Sequence, residues 1–141
     1  MKIRMGKHLD LRNRARGSAL AEFAVIAPLL ITLLFGVVEY GYVYMVRQTM
    51  TNAAREGCRL GIITSSTEEM VLARIAEMMA PTGVSGYAAT YTKGTEADPV
   101  DRVDLTVNYE DITLLPGFFS GIIGELNVTC SMRQEGVGIP S

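Results

Sequence analysis

Between Glu22 and Glu39 the chain carries no charged residue, and this run constrains the fold more than any other feature. Phe23, Val25, Ile26, Leu29, Leu30, Ile31, Leu33, Leu34, Phe35, Val37 and Val38 fall inside it. Each favours transfer into a bilayer by roughly 0.3 to 0.6 kcal/mol, on the order of −5 kcal/mol together. A charge at mid-membrane costs about 2.5 to 3.5 kcal/mol, and less at the flanks, so the apolar side wins. On a helix rising 1.5 Å per residue the two glutamates stand about 25 Å apart, close to the roughly 30 Å hydrocarbon core. Tyr40, Tyr42 and Tyr44 then resemble an interfacial aromatic belt, with Glu39 beside them among headgroups. The segment reads as a transmembrane helix, and a buried helix of a soluble protein is the weaker alternative.

Charge is partitioned around this span. Residues 1–17 carry Lys2, Arg4, Lys7, Arg12, Arg14 and Arg16 against Asp10, whereas acidic residues outnumber basic ones beyond Val46. A basic head beside an apolar span stays in the cytoplasm, which puts the acidic body outside it. The order also sets the small-residue junction Gly17-Ser18 before the apolar segment, while an ordinary secretory signal is cut after it.

The helix is expected to run from Ser18 to about Ile62, with its membrane part near 22–45. Pro28 should bend or loosen it, which membrane helices tolerate. Past the span, Ala53, Gly57 and Gly61 recur every fourth residue and form a smooth stripe on which a sheet or helix can sit. The rest reads as a small α+β domain over 63–134, followed by a tail, 135–141. Ser66 and Glu69 fit a capping box opening a second helix that runs to about Ala80 and stops at Pro81-Thr82-Gly83. A weak strand is expected near Gly86–Thr92. A clear one follows at Arg102–Glu110, with Val103, Leu105, Val107 and Tyr109 on one face. Another covers Leu126–Arg133, with Leu126, Val128, Cys130 and Met132 on one face. The apolar segment Leu114–Gly124 is read as a core-facing loop in preference to an exposed patch.

Catalysis finds little support. The only histidine, His8, lies in the basic head, so the outer body has no imidazole base, and no metal-ligand cluster or phosphate loop is present. No cofactor, nucleic acid or small-molecule substrate is expected, and the basic head is explained as a topology signal. Cys58 and Cys130 meet if the sheet packs on the long helix. In an oxidising compartment they then either form a disulfide or stay as two buried thiols.

The segment Arg16-Gly17-Ser18-Ala19-Leu20-Ala21-Glu22-Phe23-Ala24-Val25, the leucine-rich run, and Phe35-Gly36-Val37-Val38-Glu39-Tyr40-Gly41 together resemble the TadE-like family. These are small pilin-like proteins of the tight-adherence (Flp) pilus system. The resemblance covers Ala15 to about Gly61, and the body agrees in outline. Its start is also similar to type IV prepilins, with glycine before the cut and glutamate at the fifth mature position, here Glu22, followed by Phe23. The resemblance implies cleavage between Gly17 and Ser18 by a prepilin peptidase on the cytoplasmic side. It also implies a minor pilin or pseudopilin in the inner membrane, with other pilin-like subunits and the pilus assembly machinery as partners. The amine freed at Ser18 could then pair with a neighbouring subunit's Glu22 and set the axial register, because an unpaired charge in an apolar bundle is costly. The competing expectation is an uncleaved single-pass protein whose outer domain binds a partner.

Overall fold

In a computed structural model of the protein, the described residues are 7–63, 65–116 and 124–134, with side chains described from residue 17 onward. The chain divides into two units, residues 1–38 and 39–141. One helix, α1 (Lys7–Gly61), contributes to both.

In the first unit α1 is a helix with exposed apolar side chains. Leu20, Phe23, Val25, Leu29, Leu33 and Val37 are all more than half exposed. Among the described residues, one helix is long and apolar enough to cross a membrane, and none of its apolar stretch is buried. Such a surface is unfavourable in water and favourable in lipid, as the charge-free run requires. The helix continues through Pro28, and the Thr32 hydroxyl donates to the Pro28 carbonyl at 2.8 Å.

The second unit is α+β. Among its described residues it holds the end of α1, a second helix α2 (Glu68–Met79), and three antiparallel strands: β1 (Tyr87–Thr92), β2 (Val100–Asn108) and β3 (Glu125–Arg133). Their order in the sheet is β1-β2-β3, with Tyr91 opposite Val103 and Val103 opposite Cys130. The expected face of β2 is the buried one: Val103, Leu105, Val107 and Tyr109 are at most 2 % exposed. Tyr109 belongs to a short 3-10 turn that continues this alternation. From α2 the core takes Val71, Ile75 and Met79, four residues apart, and from α1 Val46, Met50, Ala53, Ala54 and Cys58.

The small-residue stripe does what its spacing suggests. A methyl group on Gly57 would come within 3.0 Å of Ile75, and one on Gly61 within 2.8 Å of the Tyr91 ring. At these positions hydrogen is the side chain that lets α2 and the sheet approach α1.

One local expectation needs correction. The cap of α2 is Thr67, whose hydroxyl accepts from the Met70 N–H, and not Ser66. Ser66 is buried and turned back, with its hydroxyl at 2.7 Å from the Ile63 carbonyl and 2.9 Å from that of Gly61. It thus serves the orphan carbonyls at the end of α1. The helix stops as expected, through a 3-10 turn at Ala80–Thr82 and then Gly83 at φ +71°. Of the apolar segment after β2, only its two ends are described. Ile112 is buried, but Leu114, where the segment begins, is 49 % exposed. Residues 117–123 of this segment, and the expected tail 135–141, lie outside the described residues.

Candidate assembly and processing site

Helical spacing places Ser18 and Glu22 on one face of α1, a turn apart. The Ser18 hydroxyl donates toward Glu22 Oε1 at 3.4 Å, a long contact between two exposed groups. Phe23, next in the chain, is 64 % exposed. Gly17 is also exposed, and a Cβ built on it meets nothing within 4 Å. Its backbone has no positive φ either. Neither packing nor backbone conformation therefore demands glycine at position 17, unlike positions 57 and 61. The four residues expected at the site are thus close together and surface-exposed within α1, where its apolar stretch begins.

Glu39 departs from its expected place among headgroups. It is only 3 % exposed. The Tyr109 hydroxyl donates to its Oε1 at 2.8 Å, and the Leu114 N–H lies 3.1 Å from Oε2 and 3.3 Å from Oε1. Both carboxylate oxygens are used, which is what makes a buried acid tolerable. The signal was present in the helical period, since Glu39, Val46, Met50, Ala53 and Gly57 fall on one stripe. Its partners lie about seventy residues away, and nothing local announces them. Of the tyrosines, Tyr40 and Tyr44 are exposed and stacked at 6.4 Å, while Tyr42 is half-buried with its hydroxyl 3.4 Å from the Thr82 carbonyl.

A second buried acid, Asp101, escaped the sequence reading. It occupies an inward position of β2 and has no exposed surface. Tyr91 donates to it at 2.9 Å, the Gly94 N–H at 2.6 Å and the Gln134 side-chain amide at 2.8 Å. Strict alternation from Val103 backward would have found it. It fixes the β1–β2 connection and the end of β3.

The cysteines do come together. Cys58 is fully buried on α1 and Cys130 half-buried on β3, both as free thiols. Burial, the neighbouring Cys130 thiol and the nearby Asp101 charge push the Cys58 thiol up from about 9 to about 12.

A shallow groove of about 530 Å³ between α2 and β1 is lined by Leu72, Ala76, Ala80, Val84, Ser85, Tyr87 and Ala89. It brings together no acid, base or nucleophile constellation.

The chain matches no curated protein and no solved structure. Residues 17–59, from the glycine before the apolar span to the small-residue stripe, match the model of the TadE-like protein family, and this segment is TadE-like.

Proposed function

We infer that this protein is a minor pilin or pseudopilin that takes part in assembling Tad/Flp-type pili. Its basic head lies in the cytoplasm, its apolar helix crosses the inner membrane once, and its α+β domain lies outside. A prepilin peptidase cuts between Gly17 and Ser18, and other pilin-like subunits and the assembly machinery are its partners.

The observation that carries this reading is the placement of Glu22. It is a carboxylate on an otherwise apolar, exposed helix face, and the TadE-like match begins five residues before it. Its intrachain contact, the Ser18 hydroxyl at 3.4 Å, is too weak to compensate a charge in lipid. Cleavage would supply the missing partner, because the new Ser18 amine of one subunit can pair with Glu22 of the next. Gly17, which the fold does not require, is accounted for by the same step.

Mass spectrometry of the mature N-terminus tests the reading. Wild-type protein is expected to begin at Ser18, and Gly17→Leu to retain Met1 or the residue after it. A wild-type chain that keeps its leader in piliated cells would overturn the reading in favour of an uncleaved single-pass protein. Glu22→Ala is expected to leave the amount of protein in the membrane fraction unchanged and to reduce surface piliation several-fold.

A further inference from the structure

The domain holds one pair of nucleophilic side chains that the pilin reading does not use. Cys58 lies on α1 and Cys130 on β3, and two contacts bring them to the same part of the core. Val103 and Cys130 are directly opposed across β2 and β3, so their side chains share the core-facing side of the sheet. A methyl on Gly57 would touch Val103 at 3.5 Å, which sets this part of the sheet directly on α1 beside Cys58. The Cys130 thiol is also among the neighbours that push the Cys58 thiol up.

The position of β3 gives such a pair a purpose. It is an edge strand, bonded to β2 along one side. Its inward residues Val128, Cys130 and Met132 are only partly buried, whereas the corresponding residues of β2 are fully buried. The last strand is therefore the least secured part of the core, and a covalent tie to α1 at its middle would fasten it. We propose that Cys58 and Cys130 are joined by an intramolecular disulfide in the mature protein, fixing the last strand to the first helix.

The chemistry is thiol–disulfide exchange with a disulfide-bearing thiol oxidoreductase of the extracytoplasmic compartment. The Cys130 thiolate attacks one sulfur of the donor disulfide, forming a mixed disulfide and releasing the other donor sulfur as a thiolate. The Cys58 thiolate then attacks Cys130 Sγ, the Cys58–Cys130 bond forms, and the second donor sulfur leaves. The protein gives up two electrons and two protons, and the donor gains both as a dithiol. Cys130, half-exposed, is the sulfur that can meet the donor, while Cys58 has no exposed surface. Burial also holds the Cys58 thiol in its protonated, unreactive form once the domain is closed. The bond is therefore expected to form while the domain folds and to resist reduction afterwards.

The test uses the full-length protein in membranes from cells lysed into denaturant with N-ethylmaleimide, so that thiols are trapped as they stood in the cell. The expected result is no maleimide on Cys58 or Cys130, and a peptide pair joined through these residues that separates on reduction. Maleimide on both residues without prior reduction would overturn the proposal, as would disulfide-linked dimers through Cys130. Thermal unfolding in detergent supplies a readout free of any folding defect in a variant. Reductant is expected to lower the wild-type Tm by on the order of 10 °C and to leave that of Cys58→Ser/Cys130→Ser unchanged. Equal wild-type Tm with and without reductant would sink the tether. Neither arm depends on pilus assembly, so a failure here is distinct from a failure of leader cleavage.

Discussion

Single residues with no side chain decide how closely this domain packs. Gly61 is the sharpest case. A methyl there would sit 2.8 Å from the Tyr91 ring, and Tyr91 cannot swing aside freely because its hydroxyl is held by buried Asp101. Gly61→Ala is therefore expected to destabilise the domain by about 1 to 3 kcal/mol through overpacking. Alanine's better helix propensity offsets little of this at the last residue of α1. Gly41 offers the contrast. A Cβ there meets nothing within 4 Å, so Gly41→Ala should be neutral or stabilise by up to about 1 kcal/mol. Denaturant titration of the detergent-solubilised protein separates the two, and equal effects would refute the packing argument.

At the scale of elements, α1 and α2 are joined by an apolar contact with an ionic edge. Glu56 of α1 bonds Arg59 at 2.8 Å and reaches Arg74 of α2 at 3.4 Å, and Arg74 also holds Glu77 at 2.6 Å. The Arg59 guanidinium, with help from Arg74, holds the Glu56 carboxyl down at about 2. A carboxylate with a lowered folded-state pKa stabilises above its unfolded pKa, near 4.5, and loses that contribution as pH falls toward 2. Wild type and Glu56→Gln should thus differ in stability at pH 6 and converge at pH 2. The gap will be modest, because the pair is at the surface and salt-screened. The elements themselves could be read from periodicity: the alternation of β2, the four-residue stripe of α1 and the apolar face of α2 all predicted their packing. Caps and buried acids were harder. Ser66 and Thr67 are adjacent hydroxyl residues, and tertiary burial decides which of them caps α2. Glu39 looked interfacial because its local neighbours are tyrosines, whereas its fate depends on Tyr109 and Leu114, far away in sequence. At the junction, helical spacing alone sets Ser18 and Glu22 a turn apart on one face, with Gly17 and Phe23 as their chain neighbours.

At the scale of the whole molecule, the orientation we propose rests on the six basic residues of the head. Neutralising Lys2, Arg4, Lys7, Arg12, Arg14 and Arg16 removes the charge bias across the span. A substantial fraction of such a variant should insert inverted, with its acidic domain protected from protease added outside spheroplasts, while the wild-type domain is digested. Unchanged protease sensitivity would mean that another signal sets the topology. The core of the second unit also has a history in time. Its helical half, Val46 to Gly61, is complete some seventy residues before β3 leaves the ribosome. At 5–20 residues per second, the stripe that ends at Gly61 waits roughly 4 to 14 s for its last strand. For that interval a nascent chain exposes half a core, and the domain can close only when β3 arrives to cover it.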